Sequence, residues 1–174
     1  MRALPPFLAV VLCLSGCSTP STPNPAALQA SPAAATETVT VQRVVDGDTF
    51  IAVAGTRRFR VRLIGVDTPE TVKPATPIQC FGPEASAYAH RTLTGEQVTL
   101  AYDVDRYDRY GRTLAYVYVG STFFNLDLIQ RGYAVVLTVP PDVAHVEQLV
   151  AAQKRARTAH IGLWLACPFA IAGR

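Results

Sequence analysis

Alternating and β-branched residues dominate the first half of the chain after about residue 38. Residues 39–45 and 49–54 are rich in Val, Ile, Phe and Thr, which favour strands, and Gly55-Thr56 is typical of a hairpin turn. The segment 57–66 at first alternates between apolar side chains and arginines. Since successive strand residues face opposite sides, one face is predicted to carry Phe59, Val61 and Leu63 and the other Arg58, Arg60 and Arg62.

Helical spacing appears later. Residues 83–93 have Pro at the first turn and small or apolar residues on one face, which predicts a helix. Asn125 is expected to cap a helix that ends at Gly132, and Asp142 one that runs to about His160. Alternation at 98–102 and 114–118 adds two strands. About five short strands with three α-helices predict a mainly β fold, a small closed barrel with helices around it.

The beginning of the chain has the pattern of an export signal. The apolar run 4–14 is too short to span ~30 Å of hydrocarbon as a helix and suits a signal peptide over 1–16. It ends in Leu-Ser-Gly-Cys17, which resembles the lipobox of bacterial lipoproteins, although Cys17 could be incidental in an ordinary secretory signal. Residues 17–36 predict a disordered Ser/Thr/Pro/Ala tether, followed by a domain over 37–169 and a tail over 170–174.

Composition supports one folded domain. The 174 residues are 49% hydrophobic and 17% charged, which excludes a chain that is disordered throughout. The net charge of +3 is too small to indicate a broad basic surface for nucleic acid. Apart from Cys13 and Cys17, only Cys80 and Cys167 remain, and in an exported protein we expect them to form a disulfide. The alternative is two buried free thiols.

Three polar segments carry the candidate chemistry: 46–48, 67–70 and 108–112. Taken separately, the first is typical of a turn, the second of a strand end and the third of a solvated hairpin. Taken together, they offer carboxylate oxygens for a cation such as Ca²⁺, arginines for a phosphate and a carboxylate that could act on water. Hydrolysis of a phosphodiester needs all three.

The motifs VVDGDTF, RLIGVDTPET, FGPEASAY, DRYGRTLAYVY and NLDLIQRGYA occur in this order between about Val39 and Trp164. In combination they resemble the staphylococcal (thermo)nuclease family. The resemblance implies an OB-fold, a five-stranded β-barrel with three α-helices. It also implies Ca²⁺-dependent endonucleolytic cleavage of DNA and RNA that leaves 3′-phosphates.

The same resemblance assigns roles to residues at matching positions. It implies that Ca²⁺ is held by the carboxylates of Asp48 and Asp67 and the backbone carbonyl of Thr68, with Asp46 behind them as a further acidic residue. Glu70 would be the general base. The resemblance further implies stabilisation of charge on phosphorus by Arg62 and Arg112, and a substrate phosphate held by Arg109 and Tyr110. In contrast to the best-known member, which has two tyrosines that flank the nucleotide, this chain has Thr138 and Pro140.

The sequence therefore predicts an exported nuclease, anchored to the bacterial cell envelope through lipidated Cys17. We expect a monomer with DNA and RNA as substrates, single strands being preferred. A rival hypothesis is a non-catalytic, lipid-anchored OB-fold protein that binds nucleic acid without cutting it. A calcium-stabilised envelope protein is a third hypothesis, but it leaves the arginines unexplained.

Overall fold

The fold was analysed in a computed structural model that describes residues 35–71 and 77–167. The expected signal peptide, Cys17, nearly all of the expected tether and the expected tail lie outside the described residues. The domain predicted to begin at residue 37 begins with a strand at Thr36. The strands are β1 (Thr36–Asp46), β2 (Thr49–Ala54), β3 (Arg57–Leu63), β4 (Val66–Asp67), β5 (Gln97–Ala101), β6 (Thr113–Val119), β7 (Thr122–Phe123) and β8 (Val135–Val136). The helices are α1 (Gly82–Leu93), α2 (Phe124–Gln130), α3 (Val146–Thr158) and α4 (Leu163–Ala166).

Five strands close into a barrel. The hydrogen-bonded order is β3-β2-β1-β5-β6, and β3 also pairs with β6 in parallel, which joins the two ends of the sheet. The other barrel pairings are antiparallel. Because closure leaves no free edge among these strands, the predicted five-stranded barrel is confirmed. Outside it, the short strands β4 and β8 pair with each other.

Alternating apolar side chains fill the barrel and contact the helices. Phe50 and Ala52 of β2 and Val61 of β3 are fully buried, as the period-2 pattern predicts. Leu93 of α1 and Leu128 of α2 belong to the same buried cluster. The barrel and the helices thus share one core.

The helices differ from the sequence prediction in number and in their caps. A fourth helix, α4, follows α3. Asn125 does not cap α2: it is fully buried, accepts from the N–H of Val117 at 2.9 Å and donates to the carbonyl of Ile64 at 2.8 Å. Asp142 lies before α3 and accepts from the N–H of Asp105 at 2.8 Å. Both side chains bind backbone far away in sequence, which local propensity could not predict.

A disulfide joins Cys80, before α1, to Cys167, after α4, with Cα atoms 6.0 Å apart. It closes a loop of sequence separation 87 and ties the end of the described chain to the segment before α1.

Among the described residues, none of the helices is long and apolar enough to span a membrane.

Candidate active site

Arg62, near the end of β3, is the centre of the candidate site. Its side chain is 11% exposed, and its guanidinium pairs with Asp48 Oδ2 at 2.9 Å and Asp67 Oδ1 at 3.1 Å. It also donates to the carbonyls of Leu63 at 3.2 Å and Val66 at 2.9 Å. The turn between β3 and β4 brings Asp67 and the two carbonyls to the guanidinium, and Asp48 comes from the turn between β1 and β2. The orientation of Arg62 is therefore set by four contacts.

Asp48, between β1 and β2, fastens the β4 end to the barrel. Its Oδ2 accepts from the N–H of Thr68 at 2.9 Å and from its hydroxyl at 3.1 Å. Gly47 makes this approach possible, because a Cβ there would lie 2.6 Å from Cγ2 of Thr68. Asp48, Asp67, Arg62 and Thr68, singled out by the sequence, are therefore brought together.

Asp46 adds negative charge beside this group. Its Oδ1 accepts from the N–H of Asp48 at 3.3 Å. Burial, together with the charge of Asp48, raises the pKa of Asp46 to about 7.

Within residues 35–71 and 77–167, no three His, Cys, Asp or Glu side chains form a group that could hold a metal ion. Asp48 and Asp67 are nevertheless hard oxygen donors, and Ca²⁺ completes its ligand set with carbonyls and water.

Glu70 lies beyond β4, in the segment that leads towards α1. Its backbone N–H donates to Gln79 Oε1 at 3.0 Å, and its carbonyl accepts from the N–H of Gln79 at 3.0 Å. The N–H of Thr71 donates to its carboxylate at 2.9 Å. The half-buried carboxylate is thus held next to a backbone turn, three residues from Asp67.

The turn 108–112 carries a second cluster of side chains, which contains two further arginines, Arg109 and Arg112. Asp108 accepts from the N–H groups of Tyr110 and Arg112, both at 2.9 Å, and from Nε of Arg112 at 2.6 Å. Although burial acts in the opposite direction, these hydrogen bonds lower the pKa of Asp108. Gly111, with φ +73°, allows the chain to reverse. Arg109 Nη2 donates to the hydroxyl of Tyr110 at 2.6 Å, so the ring and both arginines form one cluster.

A cavity of about 460 Å³ lies between these two groups. Arg62 lines it together with Arg109, Tyr110 and Arg112. Asp105, Asp108 and Asp142 also line the cavity, and Asp108 is paired with Arg112. The forked guanidiniums and the tyrosine hydroxyl are the donors that would bind a phosphate-bearing ligand here. The size is that of a small-molecule site.

Tyr107 is a cavity residue that the sequence analysis missed. It is 63% exposed and lines the cavity, as do Leu137 and Val139. A signal was present, because an aromatic residue inside the polar stretch 103–112 has no role in a core pattern. Tyr133, by contrast, packs against the core and stacks on Tyr88 with ring centroids 4.6 Å apart.

Comparison with known proteins decides the family. The protein-family model described as "Staphylococcal nuclease homologue" matches residues 60–166 of this chain. This chain belongs to the staphylococcal nuclease family. It is 45% identical over 128 residues to the thermonuclease of Staphylococcus hyicus, covering 74% of this chain and 76% of the relative. Endonuclease YncB of Bacillus subtilis is 34% identical over 128 residues, covering 72% of this chain and 61% of that protein.

The family assignment agrees with the motifs from which it was expected. The matched range contains the cavity arginines and Glu70, whereas Asp46 and Asp48 precede it. The barrel is the OB-fold expected of a staphylococcal nuclease family member.

Proposed function

We propose that the protein is a nuclease that hydrolyses phosphodiester bonds of DNA and RNA with Ca²⁺ and leaves 3′-phosphates. The observation that carries this proposal is the cavity in which Arg62, Arg109, Tyr110 and Arg112 converge. The names of the relatives, thermonuclease and endonuclease, support nuclease activity.

The cavity residues would bind and orient the scissile phosphate. Arg62 and Arg112 donate to its non-bridging oxygens, where negative charge increases in the transition state. Arg109 and Tyr110 hold a phosphate on the other side of the turn. Glu70 takes a proton from the attacking water while the water oxygen forms a bond to phosphorus. The bond between phosphorus and the 5′ oxygen breaks. The proton that Glu70 accepted returns through solvent to the leaving oxygen, so that a 5′-hydroxyl and a 3′-phosphate are formed.

The residues around Arg62 suit Ca²⁺. Asp48 and Asp67 are two carboxylates paired with a single guanidinium, so that their formal negative charge exceeds the positive charge beside them, and Asp46 lies next to Asp48. Asp48, Asp67 and the carbonyl of Thr68 would hold the ion. When bound, Ca²⁺ would neutralise charge on the phosphate oxygens.

A single assay separates this function from binding without cleavage. The full chain is incubated with plasmid DNA and with RNA, in Ca²⁺ and in chelator, and the products are analysed by gel and for terminal phosphate. We expect cleavage in Ca²⁺ only, with 3′-phosphate ends. Binding without any loss of substrate in Ca²⁺ would support the rival OB-fold binder, and cleavage in chelator would contradict the role of Ca²⁺.

We further propose that the protein is exported and anchored to the cell envelope through lipid on Cys17. Two acyl chains anchor a protein stably, where one chain is marginal. Exchange of Cys17 for Ser should move the protein from the detergent phase to the aqueous phase or stall its processing. Unchanged partitioning of that variant would contradict the anchor.

A further inference from the structure

A second groove, of about 280 Å³, lies on the outer face of the barrel beside the cavity. It is lined by Ile51, Phe59, Gly111 and four residues with polar groups, Arg58, Arg60, Tyr110 and Arg112. Tyr110 and Arg112 line both the groove and the cavity. The groove therefore continues from the candidate site across the 108–112 turn onto β3.

Two of the three arginines that line this groove, Arg58 and Arg60, are not paired with carboxylates of the described residues, whereas Arg112 is paired with Asp108. None of the ion pairs found in the described part of the chain includes Arg58 or Arg60, and both residues are exposed. Gln42 Oε1 accepts from Nε of Arg58 at 2.6 Å, which orients this guanidinium but leaves its charge. The lining of the groove contains no acidic residue.

The strand register extends the charge beyond the groove. Arg60 of β3 pairs with Ile51 of β2, and Ile51 pairs with Arg43 of β1. Directly paired residues face the same side of a sheet, and strands are ~4.8 Å apart, so the backbones of Arg43 and Arg60 lie roughly 10 Å apart on the outer face. Arg43 is also exposed.

We propose that this groove binds the phosphate backbone of the substrate strand outside the cavity. The inference rests on the proposed function. A nucleic acid longer than the cavity must leave it, and the path over Tyr110 and Arg112 leads directly to Arg60 and Arg58. Contacts to phosphate carry no base specificity, so the groove favours polymers over mononucleotides and accepts DNA and RNA alike.

Salt dependence tests the groove directly. The affinity for a single strand falls with salt, and each phosphate contact contributes ~0.7 to the magnitude of the slope of log affinity against log salt concentration. For the double variant Arg58→Gln/Arg60→Gln we expect a slope smaller by about 1.4. Binding of labelled single-stranded DNA of about 30 nucleotides, longer than one OB-fold site, is measured by anisotropy with the full chain in chelator. The variant Arg58→Lys/Arg60→Lys should restore the slope, which separates lost charge from misfolding.

The matched control is Lys154→Gln/Arg155→Gln, which removes two exposed charges from α3, an element without residues in either the cavity or the groove. Its slope should stay at the wild-type value. Equal slopes for the two Gln variants would overturn the groove. Cleavage of the same oligonucleotide in Ca²⁺ is followed in parallel. If neither the wild type nor any variant cleaves the oligonucleotide, the proposed function fails. The binding slopes still show whether the groove contacts the phosphate backbone.

Discussion

Replacement of Arg62 by Ala should damage stability as well as activity, because this arginine is a buried structural partner. The change removes ion pairs at 2.9 and 3.1 Å and two hydrogen bonds to carbonyls. The Asp48 side chain, 7% exposed, is left without its guanidinium. Loss of one partner of a buried pair costs ~3–5 kcal/mol. At ~2 kcal/mol per M of urea, the unfolding midpoint should fall by about 2 M.

Arg112→Ala is the matched comparison. Arg112 pairs with Asp108 within the same turn and is 27% exposed, so its loss should cost only ~1 kcal/mol of unfolding free energy. Both variants should lose kcat by ~10²–10³-fold, since each removes a guanidinium from the charged phosphate. Urea unfolding of the full chains in chelator, followed by circular dichroism, gives the stabilities. Equal midpoints for Arg62→Ala and Arg112→Ala would mean that the buried contacts of Arg62 add no stability beyond those of an exposed pair.

Three further changes test other contacts. Tyr107→Ala should weaken binding of a nucleotide by about 5- to 150-fold in a fluorescence titration, because stacking on a base is worth ~1–3 kcal/mol, and Tyr107→Phe should not. Gly47→Ala should lower the free energy of unfolding by ~1–3 kcal/mol, because its Cβ would press on Thr68; an unchanged melting temperature would contradict this packing. Mass spectrometry of the non-reduced exported protein should find Cys80 and Cys167 protected from alkylation, and their reduction should cost ~4 kcal/mol in unfolding; two alkylatable thiols would contradict the bond.

The barrel strands were predictable because a barrel wall has an inner and an outer face. In the segment 58–63 this produces a strict alternation that is visible in the sequence. The end of this strand was less predictable. The pattern suggested one strand to residue 66, but Gly65, with φ +77°, turns the chain, and the separate strand β4 begins at Val66.

The environment of Arg62 could not be derived from its strand. Alternation placed it with Arg58 and Arg60 on one face, yet these two are exposed while Arg62 is buried. The difference arises because β4 and Thr68 return over the end of β3, a tertiary contact without a local signal. Similarly, the polar type of Asn125 favoured a cap, whereas its amide joins the backbones of two distant elements.

The candidate site was predictable as a set of residues but not as a geometry. The order of the motifs identified the carboxylates and arginines, since the family resemblance is carried by sequence. The geometry depends on loops that meet only in the folded chain. These loops provide the four contacts of Arg62, and they place Tyr110 and Arg112 in the lining of both the cavity and the groove.

The turnover of Glu70→Gln on a single-stranded oligonucleotide in Ca²⁺ decides whether this carboxylate is the base of the reaction. The amide keeps the shape of the side chain and removes the base, so kcat should fall by ~10²–10⁴-fold, with the melting temperature of the wild type. Turnover close to that of the wild type would contradict the assignment of Glu70 and, with it, the proposed hydrolysis at this site.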